Sequence, residues 1–223
     1  MMSGEPGRDC PLCPRLVAFR QDNRRQFPDW HNAPVASFGD RDARLLIIGL
    51  APGLRGANRT GRPFTGDYAG MLLYETLLAY GFAVGIYAER PDDGLTLADC
   101  MITNAVRCVP PANKPVPAEI ATCRSFLARQ IADLPRPRAV VLLGRIAHDS
   151  ALRTLGLKLS AYPFRHGAVH RLADGPALFD SYHCSRYNTN TGQLTTDMFR
   201  SVFASVRHHL DDNDVTGKTC IGL

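Results

Sequence analysis

The sequence predicts a single α/β domain built on a central, mostly parallel β-sheet, and three observations lead there. The continuous apolar run at 45–48 reads as a buried parallel strand, and 101–106 and 139–144 read as the second and third main strands. Stretches with apolar residues at helical spacing separate them. The first run empties into a Gly/Pro-rich polar loop of about twenty residues, whereas strand-to-helix connections usually take two to six. Open α/β sheets place their ligands at such carboxyl ends.

Taken in order, residues 1–9 read as a flexible lead, and Cys10-Pro11-Leu12-Cys13 opens the globular part. This C-x2-C pair suits zinc, an iron–sulfur cluster or a redox dithiol. A redox dithiol normally sits at a strand-to-helix junction, and no strand pattern precedes this pair. A basic helix over 15–27 carries Arg15, Arg20, Arg24 and Arg25 and ends at Pro28. Residues 29–42 form a polar connection anchored by Trp30. After the strand at 45–48 and its loop, Met71, Leu72, Leu73, Leu77, Leu78 and Tyr80 predict a buried helix that begins near Met71 and ends at Gly81.

A variable connection, 83–97, leads to the second main strand, which starts at the core residue Cys100 and delivers Asn104 near its far end. Pro117 opens a helix with Ile120, Cys123, Leu127, Ile131 and Leu134 on one stripe, and Pro135 follows its end. The third strand runs into a helix from Arg145 to about Leu155. Two further strands, 169–172 and 177–182, flank a turn at Asp174-Gly175-Pro176, and the second delivers His183. A polar loop reaches Gly192. Thr195 or Thr196 then caps a last helix with Phe199, Val202, Phe203, Val206 and Leu210 on its apolar face, and 211–223 reads as a loosely held tail. There is no internal repeat.

The chain has 223 residues, 45% hydrophobic and 21% charged, which are globular values. Its net charge is +5, and all but Lys114, Lys158 and Lys218 of its 26 basic residues are arginine, the side chain suited to forked phosphate contacts. That permits nucleic-acid binding without requiring it. The start has no apolar core of the kind a signal peptide carries, and no run approaches a membrane span, so a soluble, cytoplasmic protein without membrane contact is expected. Seven cysteines in a reducing compartment point to metal or structural thiols rather than disulfides.

Beside Cys10 and Cys13 stand Cys108, just after the second strand, and Cys123 on the next helix. One C-x2-C knuckle with two dispersed thiolates can hold a [4Fe–4S] cluster, and zinc with four thiolates stays open. Cys184 invites a nucleophile reading beside His183, but a wall residue is expected. The chemistry-bearing groups gather at one sheet edge: Asp67 and Phe64 in the long loop, Asn104 and His183. Singly, the acid would read as a helix cap, the asparagine as a turn residue and the histidine as structural. Their common placement favours a site.

The loop from Gly49-Leu50-Ala51-Pro52-Gly53 through Arg62-Pro63-Phe64-Thr65-Gly66-Asp67, the stretch 102–111 and Tyr182-His183-Cys184-Ser185-Arg186-Tyr187-Asn188 closely resemble family 5 uracil-DNA glycosylases, the UDGb type, from about Cys10 to Leu210. The resemblance implies a three-layer α/β/α domain that binds DNA containing uracil or other deaminated bases as a monomer. It also implies a structural [4Fe–4S] cluster on Cys10, Cys13, Cys108 and Cys123.

A glycosylase of this kind must flip the base out of the stack, grip it and stabilise charge that separates between base and sugar. The resemblance casts Asp67 as the active-site acid, Asn104 as the reader of the base edge and His183 as the leaving-group donor. Phe64 would stack on the base, with Leu50, Ala51, Gly53 and Tyr68 around it. Arg59, Arg62, Arg107 and Lys114 are phosphate-contact candidates. Ser185, Arg186, Tyr187 and Asn188 form the loop expected in the minor groove, with Tyr187 as wedge. Leu50 stands where many relatives carry an acid or Asn, which shifts the chemistry to Asp67 and implies a wider range that includes hypoxanthine. Leu50 and His183-Cys184-Ser185 argue against the uracil-specific family 4. The three polar groups together argue against an inactive iron–sulfur binding module, and no P-loop supports a nucleotide enzyme.

Overall fold

The computed structural model describes residues 4–218. Its elements in chain order are α1 (Pro14–Gln26), β1 (Phe38–Gly39), β2 (Leu45–Gly49), α2 (Ala57–Thr60), α3 (Tyr68–Ala79), β3 (Ala83–Val84), β4 (Thr96–Leu97), β5 (Cys100–Asn104), α4 (Pro117–Asp133), β6 (Ala139–Leu143), α5 (Arg145–Thr154), β7 (Val169–His170), β8 (Ala177–Ser181), α6 (Arg186–Asn190) and α7 (Thr196–Lys218). Six strands form one sheet in the order β1-β5-β2-β6-β8-β7. The four inner strands pair in parallel, and β1 and β7 close the edges antiparallel.

The parallel strands are buried along their length, including the polar Thr103, Asn104, Asp180 and Ser181 near the ends of β5 and β8. Their side chains alternate between two cores. Leu45, Ile47, Ile102 and Val141 pack with α3 and α7 through Leu73, Leu77, Phe199 and Phe203. Leu46, Ile48, Val140 and Leu142 pack with α4 and α5 through Leu127, Ala147 and Leu152. This is the expected three-layer α/β/α arrangement. Because β2 is flanked by β5 on one side and β6 on the other, the connections that leave its carboxyl end and theirs diverge and open a crevice.

Several local expectations change. The polar connection at 29–42 contains the edge strand β1, and the variable connection holds the small β3–β4 ribbon. Helix α3 begins at Tyr68 rather than near Met71 because the Asp67 carboxylate accepts the Gly70 N–H at 3.1 Å and caps it. The polar loop after His183 contains α6, capped by Ser185. Thr195 caps the last helix, whose backbone runs on to Lys218, so the tail expected from 211 is helical as far as the described residues go. Residues 4–9, expected to be a loose lead, lie against the domain: Glu5 accepts the Ser37 N–H at 2.9 Å and pairs with Arg107 at 2.9 Å.

The long loop after β2 is braced from within. Arg62, expected at a DNA phosphate, is 5% exposed and makes a forked pair with Asp93 at 2.8 Å on both nitrogens. Its guanidinium lies 5.3, 5.4 and 5.8 Å from the ring centres of Phe38, Tyr74 and Tyr87. Arg62 holds the Asp93 carboxyl far below the usual carboxylate range. Asp93→Asn would leave the guanidinium buried beside a neutral amide, and urea unfolding is expected to register a loss of about 3 kcal/mol. A loss within the ~1 kcal/mol of an exposed pair would contradict the bracing role.

Candidate active site

The crevice at the carboxyl edge is a cleft of about 750 Å³. Each parallel strand sends one wall into it: the β2 loop brings Leu50, Gly53, Phe64 and Asp67, β5 ends on Asn104, β6 runs into Gly144-Arg145, and β8 leads to His183. Every residue expected in catalysis or base binding, namely Leu50, Ala51, Gly53, Phe64, Asp67, Tyr68, Asn104 and His183, lines this cleft.

The floor depends on Gly49, where β2 and β5 lie in register opposite Asn104. A Cβ at Gly49 would collide with both the Asn104 Oδ1 and the Phe64 ring edge, so only glycine lets the amide and the aromatic face meet there. Phe64 holds a left-handed φ of 54°, unusual for a side-chain-bearing residue. Its carbonyl accepts the Tyr87 hydroxyl at 3.1 Å, and the preceding Pro63 carbonyl accepts that of Tyr74 at 2.6 Å. These bonds hold the strained turn, and the Phe64 ring sits 6.0 Å from the His183 ring at an interplanar angle of 29°. Asn104 is 2% exposed, and its Oδ1 has no hydrogen-bond partner. Buried polar atoms are rarely left so, and this one is free to accept from a ligand.

His183 Nδ1 is likewise buried without a partner. Burial pushes the ring down to about 4, so at neutral pH it is an uncharged imidazole that can donate one N–H. The Asn188 amide fixes its backbone by donating to the His183 carbonyl at 2.8 Å. Asp67 faces the same cleft. Burial raises its carboxyl above the ordinary value, while the Gly70 and Ala69 N–H groups pull the other way. Its Oδ2 lies over Gly56, where a Cβ would come within 2.5 Å of it. Cys184 is wholly buried, its thiol donating to the Ala69 carbonyl at 3.5 Å, and it sits in the wall as expected rather than at the reacting centre.

At the rim, Arg186 lies 5.2 Å over the ring of the half-exposed Tyr68, and Tyr187 projects into solvent at 75% exposure. Ser185, Asn188 and Lys114 also line the mouth. Arg59 is exposed on α2 but is not among the lining residues. Arg107 corrects its expected role. It is 1% exposed, donates to the Ser37 hydroxyl at 2.8 Å and pairs with Glu5, so it cannot reach a phosphate. The cleft also holds Asn113, Arg145 and Phe164, which sequence reasoning missed. Arg145 could have been found by the rule that found the others, since it follows the carboxyl end of a parallel strand. Phe164 carries no such signal.

A second cavity is lined by Cys10, Cys13, Cys108 and Cys123 together with Leu16, Arg20 and Phe126. The Cys108 sulfur accepts from Arg20 at 3.8 Å and the Cys123 sulfur from the Arg107 N–H at 3.3 Å. Burial, reinforced by the other thiols, pushes Cys108 up to about 12 and Cys123 up to about 11. A group with net positive charge would relieve that penalty. Four thiols around one cavity are a donor set that a metal ion or an iron–sulfur cluster could use.

An NMR titration of the histidine rings should find His183 protonating at about pH 4. Stability should also fall as the pH drops from ~6.5 toward that value, because the unfolded chain takes up a proton that the folded one refuses. A His183 midpoint near the ordinary value would mean that the ring is not desolvated.

The uracil DNA glycosylase superfamily model matches residues 36–207. The chain is 47% identical over 204 residues to a type-5 uracil-DNA glycosylase of Thermus thermophilus, covering 89% of this chain and 92% of that one. It is 40% identical over 198 residues to a type-5 uracil-DNA glycosylase of Pyrobaculum aerophilum, covering 87% and 86%. A type-4 uracil-DNA glycosylase of Archaeoglobus fulgidus is 32% identical over 139 residues, 62% of either chain. With most of its length matched in this way, and its cleft built at the strand ends those matches span, the chain belongs to the uracil DNA glycosylase superfamily, among its type-5 members.

Proposed function

We propose that the protein flips uracil out of DNA and hydrolyses its N-glycosidic bond to leave an abasic site, and that it accepts hypoxanthine as well. The observation that carries this is the pair of buried, partnerless polar atoms, Asn104 Oδ1 and His183 Nδ1, that flank the Phe64 ring in one cleft. A flipped pyrimidine stacked on Phe64 presents an edge with both donors and acceptors, which the Asn104 amide can match. Cleavage leaves negative charge on the base carbonyl. The neutral His183 ring can donate to that oxygen, and a donor placed for growing charge is worth more in a site shielded from water. Asp67, which lines the same cleft, supplies the carboxylate that orients a water or faces the cationic sugar.

Leu50 supports the wider base range: an apolar side chain at the mouth of the loop makes no polar demand on the base, so a purine with a carbonyl edge is not refused there. The rim supports a DNA surface, with Arg186, Lys114 and Arg145 for phosphates and Tyr187 as the exposed planar wedge. At the second cavity Cys10, Cys13, Cys108 and Cys123 would hold a [4Fe–4S] cluster, whose contribution is a structural cross-link between the N-terminal segment, the 108 loop and α4.

Single-turnover cleavage of duplexes carrying uracil or hypoxanthine tests the reading. Both bases should be excised by the wild type, and Asp67→Asn and His183→Ala should each slow the step ~10²-fold or more. Excision of uracil alone would restrict the range. Tight binding without an abasic product would sink the enzyme reading. Anaerobically purified protein should show cluster absorption and about four irons per chain, both lost in Cys108→Ser; a colourless, iron-free protein would refute the cluster.

A further inference from the structure

Outside the proposed reacting centre, two buried groups and a partly buried one meet between α5, β7 and β8. His148 is 1% exposed, and its Nδ1 lies 2.7 Å from Asp180 Oδ1. Its Nε2 lies 2.9 Å from the Tyr162 carbonyl. His170 approaches the other carboxylate oxygen of Asp180 at 3.1 Å, and Asp180 itself has no exposure. A carbonyl oxygen only accepts, so Nε2 must carry a hydrogen. The Nδ1 then faces a carboxylate oxygen at hydrogen-bond distance, and a second proton must lie between them. Imidazole holds a proton more strongly than a carboxyl does, which puts it on the ring. With that proton every contact in the cluster joins one donor to one acceptor, and the buried carboxylate gains the positive partner that burial demands.

The elements tied here are those that wall the cleft. Asp180 stands on β8, whose next residues lead to Tyr182 and His183. The Tyr162 carbonyl belongs to the segment that carries Phe164, and the His148 and Phe164 rings meet edge-on at 5.4 Å. Arg145, in the first turn of α5, lies 5.1 Å over the Phe164 ring. His166, from the same segment, stacks on Tyr182 at 5.1 Å and accepts the Tyr182 N–H at 3.1 Å. From the geometry we infer that His148 is held as an imidazolium whose two hydrogen bonds fix β8 and the 162–166 segment against α5, making it a positioning residue for His183 and the Phe164 wall.

The titratable groups that act on His148 are Asp180 on β8, His170 on β7 and Asp149 on its own helix, while Arg145 lies over the adjoining Phe164 ring. Burial alone would push its ring down. The Asp180 hydrogen bond and charge, the Tyr162 carbonyl and Asp149 outweigh that, and the net direction is upward. A raised value in the folded state means that the stabilisation is complete below ~6.5 and is lost as the pH rises through the folded value. The tie therefore loosens on the alkaline side.

Imidazole ¹⁵N–¹H NMR of the whole wild-type chain tests this directly. Both His148 ring nitrogens should be protonated at neutral pH, and the ring should lose its proton only above the ordinary histidine value. The kinetic arm rests on the glycosylase reading above. His148→Gln should slow single-turnover cleavage of a uracil duplex by about 10- to 100-fold, the scale of a small misplacement of reacting groups, with DNA affinity unchanged. The alkaline decline of the wild-type rate should be missing from the variant. A His148 ring with one N–H at neutral pH would overturn the inference. So would a one-equivalent Zn²⁺ response of the His148 and His170 resonances, since their donors and that of Asp180 lie within 4.8 Å and would then be metal ligands. If the variant does not fold, the wild-type spectrum still decides. If the wild type cleaves no uracil, the functional reading fails while the spectrum continues to judge the imidazolium.

Discussion

Everything at the candidate site depends on how closely one strand end lets two side chains approach. At Gly49 the backbone of β2 presents no Cβ, and the Asn104 amide and Phe64 ring occupy the space that one would take. Parallel pairing with β5 sets Asn104 opposite that position. The Tyr74 and Tyr87 hydroxyls hold Phe64 in a backbone conformation it would not choose alone. Sheet register supplies one half of the floor and a strained, braced loop supplies the other. Neither half would form a pocket without the missing methyl.

The parts legible in the sequence are those governed by rules that act along the chain. The buried parallel strands announce themselves by apolar runs, unbroken in β2 and β6, and the convention that ligands gather at their carboxyl ends brings Asp67, Asn104 and His183 together. The two-residue strands β1, β3 and β4 escaped, because two residues have no periodicity to read, whereas β7 falls inside the strand expected at 169–172. Helix α3 starts three residues before its apolar stripe because its first turn, from Tyr68, rests on the Asp67 cap. Arg62 and Arg107 were misassigned for a different reason. Their partners, Asp93 and Glu5, are remote in the chain, and nothing local distinguishes an arginine that braces a loop from one that meets solvent.

That misassignment changes the meaning of the net positive charge. Arg15 pairs with Glu119, Arg20 donates to the Cys10 carbonyl and the Cys108 sulfur, and Arg107 joins the N-terminal segment to the strand-end region. Asn32 and Asn58 bond at 2.9 Å and fasten the long loop to the chain just after α1. Much of the arginine content is therefore internal fastening for a segment that contributes little to the two main cores. Among the described residues that line the cleft, the lysine and arginines are Lys114, Arg145 and Arg186.

Asp67 caps α3 and is also the carboxylate of the proposed reaction, and the two roles are not equally demanding. As a helix cap it could be replaced by asparagine or serine with little structural effect, because each offers an oxygen to the same N–H. A lineage that lost the chemistry would still be held to a small polar residue here by the needs of the helix. The acid is thus a poor witness to activity when it stands alone. Asn104 and His183 testify better: no helix end or strand pairing requires their buried, unanswered atoms, and a protein with no ligand to receive would be rid of them.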